Sequence, residues 1–237
     1  MESIARVATK SIYGKQTIMI VAFGDSITQA AHQVPEDRWP EVLKRAIQER
    51  FPECSIRVIN AGVGGNTSRE GVRRLEQDVL AHNPDFVLVE FSNDATPEPE
   101  RHVSFEEFAA NLDLIKTKVE EGGKGRVIML TFTPIIDRWH SHYNHEFFKR
   151  NGGQDAYQEN YREMSRQFAR TRGVPLADVD RAMRKEIAVH GPAEYILNDG
   201  VHLTARGNQV VAEVVLEVLR TEIENFLIRG IGLNGVV

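Results

Sequence analysis

The stretch Ile18-Met-Ile-Val-Ala-Phe-Gly-Asp-Ser-Ile-Thr28 decides the fold. Its apolar residues, Ile18 to Phe23, run without a charge and stop at Gly24-Asp25-Ser26. A short continuous run rich in Ile and Val suits a parallel strand covered on both faces. The polar residues after Gly24 then fall in the crevice beyond the strand's carboxyl end, where open α/β sheets bind their ligands.

Working outward, the strand-like runs lie at about 17–23, 55–60, 86–91, 126–132 and 174–179, with helical patterns between them. Phe105, Phe108, Leu112, Ile115 and Val119 step by three and four, and Ser104 with Glu107 predicts a capping box at their start. Tyr157, Tyr161, Met164 and Phe168 share a second helical face ending at Gly173; Val210 to Leu219 crowd one side of a third, after Thr204. Less regular helices are expected at about 38–50 and 68–82. Strand and helix in alternation imply an α/β fold, a three-layer α/β/α sandwich around a five-stranded parallel sheet. We expect a single domain over 1–237, with its core at 17–220, an N-terminal extension at 1–16 and an apolar, glycine-rich tail at 221–237. That tail is suited to docking on the domain or on a second copy of the chain, so a homo-oligomer stays open.

The strand ends carry the chemistry. Ser26 follows the first strand, and far downstream Asp199-Gly-Val-His202 offers a carboxylate and an imidazole just before a helix. A serine hydroxyl is a poor nucleophile near neutral pH and needs a base in hydrogen-bond reach. An imidazole can take that proton and return it, and a carboxylate on its other nitrogen fixes the tautomer. Attack on an ester carbonyl creates an oxyanion, which needs donors aimed in advance. The glycines of Asn60-Ala-Gly-Val-Gly-Gly-Asn-Thr67 let backbone N–H groups approach a ligand, and Asn93 adds a side-chain amide past the third strand.

These blocks together resemble the SGNH or GDSL-type esterase and lipase superfamily, from about Ile18 to Leu219. Gly24-Asp25-Ser26-Ile27-Thr28 is similar to its nucleophile block, Asn60 to Gly65 to its glycine block, Asn93-Asp94 to the end of its asparagine block, and Asp199-Gly-Val-His202-Leu-Thr to its acid–base block. The resemblance implies the flavodoxin-like SGNH hydrolase fold, with Ser26 as nucleophile, His202 as base and Asp199 as its orienter. It implies oxyanion donors at the Ser26 and Gly65 backbone N–H groups and the Asn93 side chain. The stretch Val103 to Leu112, with Gly24 to Gln29, is most similar to small-ester hydrolases of the isoamyl acetate-hydrolysing type. One departure stands out: the family's third block usually reads glycine, any residue, asparagine, and Phe91-Ser92-Asn93 lacks the glycine.

The expected activity is carboxylic ester hydrolysis through an acyl-enzyme on short-chain or acetyl esters, those on sugars included, without metal or other cofactor. Rival readings are a lysophospholipase or thioesterase, an acyltransferase on the same triad, and a binding module with a degenerate site. Trp139, His140 and Tyr143, in a long connection at about 135–155, are candidate substrate-binding residues together with Asp25. His140, His142 and His145 tempt as zinc ligands, but the connection reads better as a wall of the site. Asp178 and Asp180 read as caps of the next helix. The glycine-rich loop lacks the endings of a phosphate cradle.

Bulk properties narrow the partners. A net charge of −5, with basic residues interleaved with acids as in Arg69 to Glu76, argues against a nucleic-acid partner and for a solvated helix face. The single cysteine, Cys54, excludes an intrachain disulfide and suits a reducing compartment. Residues 1–17 show no secretory pattern and no apolar run approaches the ~20 residues of a membrane span. The expectation is a cytoplasmic protein without stable membrane association, acting on a small-molecule ester.

Overall fold

The computed structural model describes residues 16–123 and 125–234. The N-terminal stretch at 1–15 and the last three residues of the expected tail lie outside them.

The strands are β1 (Thr17–Gly24), β2 (Ser55–Gly62), β3 (Phe86–Glu90), β4 (Arg126–Leu130) and β5 (Leu176–Ala177). They form one parallel sheet in the order β2-β1-β3-β4-β5, the flavodoxin-like order. The helices are α1 (Ser26–Gln29), α2 (Trp39–Arg50), α3 (Ser68–Asp78), α4 (Phe105–Glu120), α5 (Glu146–Arg150), α6 (Gln154–Arg172), α7 (Val179–His190) and α8 (Ala205–Asn234). Side chains alternate across β1, so its two faces feed two cores. Ile18, Ile20 and Ala22 pack with Trp39, Leu43 and Ile47 of α2, Met183 of α7 and Val211, Val215 and Leu219 of α8. Val21 and Phe23 face Leu75 of α3, Phe108, Leu112 and Ile115 of α4, and Tyr161 and Phe168 of α6. The three expected layers are therefore present, with both faces of the sheet covered.

Register brings the chemistry together. Gly24 pairs with Gly62 on one side and with Glu90 on the other, so three strands end level at one edge. The loops leaving them carry Ser26, the 63–65 turn and Asn93. This edge is also the switch point of the strand order, where β1 has neighbours entered from opposite directions.

Three features differ from the sequence reading. β5 keeps two residues because Pro175 has no N–H to pair and Asp178 already caps α7, its carboxylate accepting from Arg181 N–H. The full capping box belongs to Thr67 and Glu70 at the start of α3, not to Ser104 and Glu107. Ser104 does accept from Glu107 N–H, but the Glu107 carboxylate is taken by Arg69 at 2.6 and 2.7 Å. The expected tail is helical up to Asn234, since Ile223 and Leu227 continue the stripe of Leu219 one turn at a time and are buried. Phe226 meets the Phe86 ring edge-on at 5.8 Å, which docks this part of the tail on its own sheet.

Candidate active site

Ser26 is the first residue of α1, and the Asp25 side chain caps that helix by accepting from Ile27 N–H at 2.9 Å. The Ser26 hydroxyl lies 3.0 Å from His202 Nε2, and His202 Nδ1 lies 2.7 Å from Asp199 Oδ2. The other oxygen of Asp199 accepts from the N–H groups of Val201 and His202, at 2.9 and 3.0 Å. Partial burial works against its charge, yet these donors and the His202 ring hold the Asp199 carboxyl below the usual carboxylate range. The three side chains thus form a hydrogen-bonded row, with an ionised acid at one end and a hydroxyl at the other.

Val63-Gly-Gly-Asn66 makes a tight turn, Asn66 N–H donating to Val63 C=O at 3.1 Å, with Gly65 at φ +78. That φ is the third position of a type II turn, which favours glycine. Gly64 faces Ser26 closely: a Cβ there would stand 3.8 Å from Ser26 Cβ. Gly62 admits no side chain, because a Cβ would meet Gln29 N at 2.2 Å. Asn60 ties the same turn to α1 through Gln29 C=O at 3.2 Å.

The missing glycine of the third block has a structural answer. Phe91 stands two residues before Asn93 and is buried, meeting Phe23 edge-on at 5.3 Å. Room for its ring comes from Gly71 on α3, where a Cβ would lie 2.3 Å from Phe91 Cζ. Ser92 then turns the chain into a short 3-10 segment, Asn93–Ala95. Asn93 follows on that segment, its Nδ2 donating at 3.0 Å to Asp25 Oδ2, whose residue caps the helix that begins at Ser26.

Asp25 corrects an expectation. It does not face a substrate: it is 0% exposed, and both oxygens are engaged within the protein. Beneath it lies a buried acidic group. Burial first, and the Asp25 charge second, push the Glu90 carboxyl well above its usual range. Asp94 is pushed up to about 7, mainly by burial; its Oδ1 accepts from Ser68 N–H at 2.6 Å while Oδ2 has no hydrogen-bond partner among the described residues. The folded state holds this proton more tightly than the unfolded chain does, so the contribution to stability is full below the ordinary carboxylate value and lost as pH rises through about 7. That difference is worth roughly 4 kcal/mol at most. Asp94→Asn, neutral at every pH, is therefore expected to melt higher than wild type at pH 8, with the gain shrinking toward pH 5. A gain that does not change between those values in thermal melts would refute a titrating Asp94.

Of the 135–155 connection, the part up to His140 abuts the acid–base block. Ile136 N–H donates to Gly200 C=O at 2.9 Å, and a Cβ on Gly200 would meet His140 N at 3.0 Å. Trp139 packs against the core beside Val201, and His140 lies close enough to feel both Asp199 and His202. Burial, then the neighbouring His142, lowers His140 to about 4, so its ring is neutral near pH 7. Its Nδ1 accepts from His142 N–H, His145 caps α5, and His142 stacks on Phe148, which accounts for the three histidines without a metal. Tyr143 is exposed, with no hydrogen bond to the triad among the described residues.

Three residues escaped the sequence reading. Arg74, read as part of a solvated face, instead donates to Gly24 C=O and Ala61 C=O at 2.7 Å and to Asn66 Oδ1 at 2.8 Å. It ties the ends of β1 and β2 to the glycine turn. Arg101 donates to Gly65 C=O at 2.5 Å from the segment after β3. His32 stacks on His202, ring centroids 3.9 Å apart. A narrow cleft of about 10 Å³ lies beside Ser26, between Ile27, Ala30, His32, His202, Leu203 and Asn208.

Among the described residues no helix is long and apolar enough to cross a membrane. A family model described as GDSL-like Lipase/Acylhydrolase family matches residues 22–210. A protein of Bacillus subtilis named Uncharacterized lipoprotein YqeF is 28% identical over 82% of this chain and 86% of its own. An acetylxylan esterase of Geobacillus stearothermophilus is 26% identical over 86% and 94%. The crystal structure of Axe2, an acetylxylan esterase from the same organism, superimposes with a TM-score of 0.67 at 24% identity, covering 86% of this chain and 94% of that one, a likeness of fold.

Proposed function

The chain belongs to the GDSL-like lipase/acylhydrolase family and is a carboxylic ester hydrolase, and from that premise we propose that it cleaves short-chain esters, acetyl esters of carbohydrates included, through an acyl-enzyme on Ser26. The observation that carries the proposal is the row Ser26–His202–Asp199, with contacts of 3.0 and 2.7 Å.

Ser26 Oγ attacks the ester carbonyl while His202 Nε2 takes its proton, and Asp199 stabilises the imidazolium that forms. The oxyanion is received by the N–H groups of Ser26 and Gly65 and by the Asn93 amide. Neither backbone N–H donates to a protein acceptor among the described residues, so both are available. His202 returns its proton to the departing alcohol; water, deprotonated by the same ring, then attacks the acyl carbonyl, and His202 passes that proton to Ser26 Oγ as the acyl–oxygen bond breaks and the acid leaves.

Short acyl groups are favoured by the narrowness of the cleft beside Ser26, about the space of one water. Acetyl substrates accord with the relative named as an acetylxylan esterase. The test is a p-nitrophenyl ester series from acetate to palmitate, run beside acetylated xylo-oligosaccharides. We expect kcat/KM to fall at least about 100-fold from acetate to palmitate, since misfit methylenes each cost on the order of 1–3 kcal/mol. A maximum at palmitate would replace this reading with a lysophospholipase or thioesterase.

A further inference from the structure

We propose that His32, His202 and Asp199 form a binding site for a divalent transition cation, zinc above all, whose occupancy reversibly switches the hydrolase off. One ligand atom from each of the three lies within 4.8 Å of the others. Two of these residues belong to the triad; His32 is the third, from the loop after α1. It is exposed, and its imidazole has no hydrogen-bond partner among the described residues, its contact being the tilted stack on His202. Nothing in the proposed hydrolysis uses it.

The donor set suits zinc. Two imidazoles and a carboxylate are a common three-residue zinc set, leaving the fourth tetrahedral position to water. Metal–ligand distances of about 2.0–2.2 Å place the donor atoms of a tetrahedral site roughly 3.4 Å apart. Asp199 and His202 already approach within 2.7 Å, so closure needs mainly a turn of the exposed His32 ring.

Inhibition follows from proton placement. In the working row His202 carries its proton on Nδ1, facing Asp199, and keeps the Nε2 lone pair for Ser26. Zinc on Nδ1 takes the lone pair of that nitrogen, and the displaced proton moves to Nε2. The ring then donates to Ser26 Oγ and cannot accept from it. Coordination through Nε2 would consume the required lone pair directly. In either case the base is lost, and removal of the metal restores it.

The inference rests on the proposed triad for its kinetic effect, but metal binding can be read without activity. Untagged full-length protein, freed of metal with EDTA, is titrated with zinc by calorimetry as wild type, Ser26→Ala and His32→Ala. Hydrolysis of p-nitrophenyl acetate is followed in parallel, each active variant scaled to its own metal-free rate. We expect one saturable site in wild type and in Ser26→Ala, and inhibition of wild type reversed by EDTA. Loss of one of three protein ligands in His32→Ala should weaken both binding and inhibition at least about tenfold. Equal zinc sensitivity of His32→Ala, or no saturable binding by Ser26→Ala, would overturn the site. Binding without any esterase activity in wild type would instead count against the proposed function and leave the metal site standing.

Discussion

Ser26→Ala is expected to lower kcat on p-nitrophenyl acetate by on the order of 10⁶, to the level left by substrate binding and oxyanion donors alone. Nucleophile and base act as a unit, so His202→Ala should cost about as much, and the double variant little more. Asp199→Asn is the sharper probe. Its amide presents an N–H₂ or a carbonyl where the structure has a carboxylate oxygen 2.7 Å from His202 Nδ1. The ring is then free to hold its proton on Nε2, and the expected loss is about 10⁴. Because Asp199 also accepts from Val201 and His202 N–H, a melting curve must accompany the kinetics. A Ser26→Ala protein within tenfold of wild type would end the acyl-enzyme reading. So would a fluorophosphonate that labels both proteins equally.

Much of this arrangement is legible in the chain because it is local. The charge-free run Ile18 to Phe23 announces a buried strand, and its stop at Gly24 places Ser26 at the sheet edge. Asp199 and His202 stand three apart, close enough for one turn of chain to join them. What escaped is what depends on contacts across long separations. Arg74 looks like any arginine on a mixed helix face, yet the ends of β1 and β2 beside it supply carbonyl acceptors that no helical period reveals. Arg162 and Arg166 sit among the apolar positions of α6 and are buried. They are neutralised by Asp155, Glu159, Asp178 and Asp180, from that helix and from the next. Phe91 stands where the third block of the family usually has glycine. It is intelligible only beside Gly71, twenty residues earlier on another element. A faint signal for His32 did exist, an imidazole six residues after the nucleophile, but only the fold shows it lying on His202.

The other large effect is expected at Asp25, which touches no substrate. One oxygen accepts from Ser92 N–H at 2.7 Å, Ser92 Oγ at 2.6 Å, Asn93 N–H at 3.2 Å and Asn93 Nδ2 at 3.0 Å. The other caps α1, the helix that bears Ser26. Burial raises the Asp25 pKa, and these donors oppose that rise. Glu90 is the better holder of the proton between the two acids, because its Oε1 accepts from no donor among the described residues and its carboxyl interacts with the Asp25 side chain. Asp25→Ala orphans several buried donors at about 1–3 kcal/mol each, a large share of the roughly 5–15 kcal/mol that holds such a domain together. A fall in Tm of about 10–20 °C, or loss of folded protein, is expected. Asp25→Asn keeps the volume but offers one oxygen where two are needed. Its amide must either face Ile27 N–H with a donor or release the Asn93 side chain. Both choices disturb a proposed oxyanion donor, so kcat should fall by about 10²–10³ in protein that still folds. Glu90→Gln separates the two acids, since a neutral amide can still donate to Asp25 and should leave kcat within about tenfold of wild type. If Glu90→Gln instead matched Asp25→Asn, the proton would have to sit on Asp25, and the oxyanion loop would be held by an acid rather than by a carboxylate.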